Sequence, residues 1–172
     1  MRDYEFPWEK EPSADKLHLY RDIKNERKPW DQFWMDLADQ VGRQSTCWKK
    51  AVGCVITKNN RLLSVGFNGF PSGLDHPKSC VRIEKGQSQG EYGGSMTCPC
   101  THSEINAIIY CARFGVPTEN STIYVRYFPC LFCVSALANA KVTEIVYVEP
   151  AVDDLSMPIA MECGIKCRRL KQ

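Results

Sequence analysis

T-I-Y-V-R-Y-F-P-C-L-F-C-V-S-A-L-A-N-A-K-V-T-E-I-V-Y-V, residues 122–148, reads as a strand (122–127), a helix (130–140) and a second strand (144–148). The outer runs are β-branched and aromatic, as strands are. Upstream, residues 103–114 read as a helix stopped by Gly115 and Pro117. Residues 30–41 (W-D-Q-F-W-M-D-L-A-D-Q-V) put apolar groups at 30, 33, 34, 37, 38 and 41, a helical stripe. Residues 51–57 and 62–67 read as strands joined by a K-N-N-R hairpin turn. A short helix at about 152–162 and a last strand at 165–170 complete the chain. This alternation predicts a three-layer α/β/α sandwich around a sheet that is at least partly parallel.

At 172 residues, the chain is one domain by length and large enough for a continuous core. Residues 1–28 are charged, carry Pro7 and Pro12, and read as an N-terminal extension; 29–172 read as the domain. Within it, G-F-N-G-F-P-S-G at 66–73 is a turn-rich loop, and the Gly-, Ser- and charge-rich stretch 74–98 reads as an insertion. The net charge of +2 gives no reason to infer a nucleic-acid or membrane partner. No apolar run approaches the roughly 20 residues that span a bilayer, and M-R-D-Y-E-F-P-W-E-K has no signal-peptide core. A cytoplasmic location is expected.

Ten cysteines are many for a chain of that kind. In a reducing compartment, clustered cysteines point to metal binding before disulfides. Cys54 and Cys111 lie within apolar patterns and read as small buried hydrophobes. Cys130 and Cys133 form a C-x-x-C behind Pro129, and His102 and Glu104 lie in T-H-S-E, 28 positions ahead of Cys130. Both groups fall at helix starts, where the helix dipole favours thiolate, and i/i+3 spacing puts the two sulfurs on one side of the first turn. Pro129 suits that first turn, where a missing N–H does no harm. One imidazole and two thiolates suit a tetrahedral zinc and leave its fourth position for water, the pattern of a catalytic zinc. Glu104 is then placed to move protons without binding the metal. A structural zinc and a thioredoxin-like redox pair are the competing readings; the second is disfavoured because the motif does not follow a first strand.

H-x-E followed by P-C-x-x-C is the signature of zinc-dependent nucleobase deaminases. Over about residues 30–170 the chain resembles the cytidine and deoxycytidylate deaminase superfamily, most of all its deoxycytidylate (dCMP) branch. The resemblance lies in V-G-C-V-I, G-F-N-G-F-P-S-G, H-S-E-I-N-A-I-I and Y-V-R-Y-F-P-C-L-F-C. It implies a mixed five-stranded sheet flanked by helices and a homo-oligomer, commonly a hexamer. It also implies hydrolysis of dCMP to dUMP and ammonia, with a catalytic Zn2+ on His102, Cys130 and Cys133 and Glu104 as proton carrier. Asn68 would bond the deoxyribose 3′-hydroxyl and Arg43 the phosphate, with dCTP and dTTP as effectors. Ser103 departs from the usual H-A-E. V-E-P-A-V-D-D, with Glu149, Asp153 and Asp154, departs from the basic or aromatic pair common after the fourth strand. A related substrate (dCTP, a 5-substituted dCMP or a base in RNA) and a non-catalytic zinc module are the alternatives; the near-neutral composition disfavours RNA, and an intact Glu104 disfavours the module.

The bacterial and viral branch of the family often carries a second, structural zinc. Here Cys80, Arg82, Gly86, Ser88, Gly90 and Cys98 follow its C-x-R…G-x-S-x-G…C pattern. The resemblance implies a site drawn from Cys47, His76, Cys80 and either Cys98 or Cys100. Such a zinc would supply folding free energy that the Gly-rich insertion cannot gain from burial.

Overall fold

The computed structural model describes residues 27–76, 78–80, 84, 98–151 and 153–171. In chain order the elements are α1 (Trp30–Gly42), β1 (Gly53–Lys58), β2 (Arg61–Phe67), α2 (Ser103–Arg113), β3 (Ser121–Tyr127), α3 (Leu131–Asn139), β4 (Val142–Glu149), α4 (Ser156–Glu162) and β5 (Lys166–Arg169). The strands form one sheet in the order β2-β1-β3-β4-β5. β1 pairs antiparallel with both β2 and β3, whereas β3, β4 and β5 run parallel. The sheet is mixed and five-stranded, as expected. Most of the extension 1–28 and of the insertion 74–98 lies outside the described residues. Among the described residues, no helix is long and apolar enough to cross a membrane.

Strand pleating sends alternate side chains to opposite faces, and both faces of this sheet are covered. On one face, Trp34, Met35 and Ala38 of α1 pack on Val55, Tyr124, Val146 and Val148. On the other, Ala107 of α2, Val134 and Leu137 of α3 and Ala160 of α4 cover Cys54, Ile56, Ile123, Val125, Ile145 and Tyr147. This explains why β1, β3 and β4 read as nearly continuous apolar runs. Cys54 and Cys111 are both buried, as their patterns suggested.

The β1–β2 turn is tight because Asn59 (φ 50°) and Asn60 (φ 56°) both take left-handed conformations, which Asn tolerates better than most residues. Across the sheet, the Tyr124 hydroxyl donates to Asp31 at 2.9 Å, and Arg168 bonds both Asp31 and Glu144. The Arg168 guanidinium holds the Asp31 carboxyl below its ordinary range.

Two boundaries differ from the sequence reading in ways that bear on the site. Pro129 lies ahead of the N-cap of α3 rather than inside its first turn, because Cys130 is still extended (ψ 167°). The predicted helix at 152–162 begins only at Ser156. Asp153 precedes it, and its Oδ1 accepts from the N–H groups of Leu155 (3.1 Å) and Ser156 (2.6 Å). An Asp just ahead of a helix competes well for those amides and delays the first turn.

Candidate metal centre and proton carrier

His102 is the N-cap of α2 and Cys130 the N-cap of α3, both extended (φ −72°, ψ 155° and φ −69°, ψ 167°). N-cap side chains usually bond the first free helix amides. Neither of these does, so imidazole and thiol are left to face one another. The loop ahead of His102 is fixed by a bridge in which Gly69 and Thr101 exchange backbone hydrogen bonds of 3.1 and 2.8 Å. The end of β3 is fixed by a bond from Phe128 N–H to the Glu149 carbonyl (3.0 Å).

The result is a compact donor set. His102 Nδ1 lies 3.4 Å from the sulfur of Cys130 and 3.4 Å from that of Cys133. All three ligand atoms fall within 4.8 Å of one another. Tetrahedral zinc with Zn–S near 2.3 Å and Zn–N near 2.0 Å sets its donors roughly 3.5–3.8 Å apart. The three side chains therefore fit zinc closely and fill three of its four tetrahedral positions.

Protons are shared unequally between the two sulfurs in the absence of a metal. The Cys130 thiol is pulled down to about 4, first by a hydrogen bond from Cys133 and then by His102. That same bond, together with burial, pushes Cys133 up. His102 is raised, chiefly by its bond to Cys130. A site that already holds a thiolate against an imidazole is primed for a divalent cation.

Glu104 sits in the first turn of α2 and is 5% exposed. Desolvation raises its carboxyl above the ordinary Glu range, against the opposing pull of its own backbone N–H, His102 and Ser103. The Ser103 hydroxyl donates to Glu104 Oε2 at 2.8 Å. The carboxylate is not among the grouped metal donors.

A family model described as the cytidine and deoxycytidylate deaminase zinc-binding region matches residues 28–149. The chain belongs to the cytidine and deoxycytidylate deaminase family. It is 32% identical over 124 residues to the deoxycytidylate deaminase of Mycobacterium phage D29, covering 70% of this chain and 95% of the phage protein. The deoxycytidylate deaminase of Schizosaccharomyces pombe is 31% identical over 165 residues, covering 94% of this chain and 49% of its own length. The chain thus spans about half the length of the yeast relatives it matches. In fold it resembles the crystal structure of dCMP deaminase from the cyanophage S-TIM5 in complex with dCMP and dUMP. That likeness has a TM-score of 0.70 and 24% identity, and covers 84% of this chain and 100% of that one.

Beyond its zinc-site residues, this deaminase-family chain arranges its expected ligands unevenly. Asn68 is buried, and its carboxamide pins the loop ahead of β1. Nδ2 donates to the Lys50 carbonyl (2.7 Å), while Oδ1 accepts from Val52 N–H (2.8 Å) and lies 2.6 Å from Ser45 Oγ. Those bonds leave one Nδ2 hydrogen uncommitted. Arg43 is exposed at the C-cap of α1. Lys50, which sequence reading passed over, sets its ammonium 3.1 Å from the centre of the Tyr127 ring at the end of β3. Burial lowers its pKa, against the opposing charge of Glu149. The acidic stretch is thereby partly explained, since Glu149 answers Lys50 and Arg126, and Asp153 accepts from the Leu155 and Ser156 amides ahead of α4.

Of the second set of cysteines, the thiol of Cys100 lies against those of Cys98 and Cys47. Burial and those two neighbours push its pKa up. Cys80 is half-buried and His76 exposed. Among the described residues, only His102, Cys130 and Cys133 bring three donors within 4.8 Å.

Proposed function

We propose that the protein is a zinc-dependent hydrolase that converts dCMP to dUMP and ammonia. The observation that carries the reaction is the open His102–Cys130–Cys133 donor set with a buried, non-ligating carboxyl, Glu104, on the same helix start as His102. The deoxycytidylate deaminases it resembles support the substrate.

His102, Cys130 and Cys133 would hold zinc, which would supply the Lewis acid that makes water nucleophilic near neutral pH. Glu104 accepts a proton from the attacking water and delivers it to N3 of the cytosine as the C4–O bond forms. It then takes the remaining hydroxyl proton to the exocyclic nitrogen. The C4–N bond breaks, ammonia leaves, and N3 keeps its hydrogen in the uracil product. A carboxyl raised by burial suits both halves, because an acid–base group works best with a pKa near the operating pH.

In this reading Asn68 offers its spare Nδ2 hydrogen to the sugar 3′-hydroxyl, and Arg43 meets the phosphate. The same reading takes in a cytoplasmic location, a homo-oligomer, and control by dCTP and dTTP. Ammonia release measured in parallel on dCMP, dCTP, deoxycytidine and 5-methyl-dCMP is the direct test. dCMP is expected to give the highest kcat/KM. Preference for dCTP or the 5-methyl nucleotide would shift the substrate while leaving the chemistry. Release from none of the four would overturn the reading.

A structural zinc belongs to the same proposal. The Cys100 thiol lies against that of Cys47, ahead of the insertion, and that of Cys98, at its end. With either Cys98 or Cys100, the side chains of Cys47, His76 and Cys80 would supply a tetrahedral set. Metal analysis of fully loaded protein is expected to find two zinc ions per chain, falling to one in Cys100→Ser. A single zinc in the unmutated chain would rule out the second site.

A further inference from the structure

We propose that Ser103 is a positioning residue for Glu104, its hydroxyl holding one carboxylate oxygen so that the other is presented for proton transfer. The inference rests on the reading of Glu104 as the proton carrier.

Ser103 is fully buried and Glu104 nearly so, with 2.8 Å between Ser103 Oγ and Glu104 Oε2. A buried hydroxyl needs a partner, and this one has found a carboxylate rather than a main-chain carbonyl. Charge-assisted bonds of this kind are stronger than neutral ones. Ser103 itself cannot drift. Its carbonyl lies hard against Gly66 of β2, and its hydroxyl neighbours the Cys54 thiol of β1. The donor is therefore fixed to the sheet.

The carboxylate has no such stiffness of its own. The last torsion of a Glu side chain is broad and roughly two-fold, so packing alone leaves the carboxyl plane loosely set. A fixed donor on Oε2 selects one plane and leaves Oε1 outside that bond. Proton transfer requires hydrogen-bond geometry at the accepting atom, so a rotated carboxylate loses rate without losing substrate. Removing the hydroxyl would leave the buried Oε2 without that donor.

The test uses the full chain, loaded with zinc for kinetics and metal-free for crystallography. Ser103→Ala is expected to keep its zinc content and its KM for dCMP while kcat falls roughly tenfold, the scale of one charge-assisted hydrogen bond. Ser103→Thr, which retains the hydroxyl, is expected to recover most of that loss. In crystals, Ser103→Ala is expected to show the Glu104 carboxylate rotated or split between two orientations, and Ser103→Thr a single one. Wild-type kcat in Ser103→Ala, or an unchanged single orientation of Glu104, would overturn the proposal. Should the unmutated chain fail to act on dCMP, the functional reading falls, and the crystallographic comparison still decides the role of Ser103.

Discussion

Glu104→Gln is expected to retain zinc and to lower kcat by about 10²–10⁴-fold, the range that positioned proton transfer contributes. Glutamine matches glutamate in size, and its Oε1 can still accept from the Ser103 hydroxyl that now meets Glu104 Oε2 at 2.8 Å. None of the three grouped metal donors is touched. What disappears is a group that can take a proton and return it. Because the loss falls on a step that follows binding, KM should move far less than kcat. Zinc content by atomic absorption, beside steady-state kinetics on dCMP, checks both halves. A Glu104→Gln enzyme with near-normal turnover would remove Glu104 from the mechanism.

The same substitution should make the metal-free protein more stable at neutral pH. Desolvation raises the Glu104 carboxyl above its unfolded value, so folding favours the protonated form. For a group shifted upward, stability is greatest below the unfolded pKa and declines as pH rises through the folded one. As pH rises the buried carboxyl therefore contributes progressively less to stability, and a neutral amide removes that pH-dependent loss. Thermal melts of the two metal-free proteins should converge as the pH is lowered and separate as it is raised. Lower activity joined to higher stability is the usual mark of a strained functional group.

The His102–Cys130–Cys133 donor set was legible in the sequence because its geometry is local. Helix starts, i/i+3 spacing and donor chemistry are all properties of short stretches, and His102, Cys130 and Cys133 meet as those predict. The sheet was legible for the same reason: β1, β3 and β4 announce burial on both faces through continuous apolar runs. What could not be read was which polar partner a side chain finds across the fold. Asn68 was assigned to substrate, yet most of its carboxamide bonds Lys50, Val52 and Ser45, 16 to 23 positions away. Asp153 was read only as a departure from a basic or aromatic pair, and its Oδ1 accepts from the N–H groups of Leu155 and Ser156 at the start of α4. Ser103 looked like a neutral departure from alanine, and only the burial of both side chains turns it into a donor for Glu104.

Gly66→Ala is expected to damage both stability and catalysis, whereas Gly53→Ala should damage stability with less effect on turnover of the folded fraction. Each glycine lets a helix lie directly on the sheet, but on opposite faces. At Gly66 an added Cβ would collide with the Ser103 carbonyl oxygen and lie 2.6 Å from the Ala107 backbone nitrogen. At Gly53 it would collide with the Ala38 carbonyl and the Gly42 amide of α1, and lie 2.8 Å from the Gly42 Cα. These are backbone atoms, so relief requires moving a helix rather than turning a side chain. Overpacking of this kind costs about 1–3 kcal/mol, sometimes more. In a chain of this length each kcal/mol is worth roughly 2–4 °C in Tm. The contrast lies in which helix moves. Displacing α1 leaves His102, Glu104 and Cys130 on the other side of the sheet, although Gly42 lies close to the loop that carries Ser45. Displacing α2 shifts its first turn, which holds Ser103 and Glu104 and starts at His102. A misplacement of about 1 Å can cost on the order of a hundredfold in rate. Melts and kcat measured below the transition for both variants separate the two effects. Equal loss of kcat in Gly53→Ala and Gly66→Ala would show that the proton carrier is not held by the contact of α2 with β2.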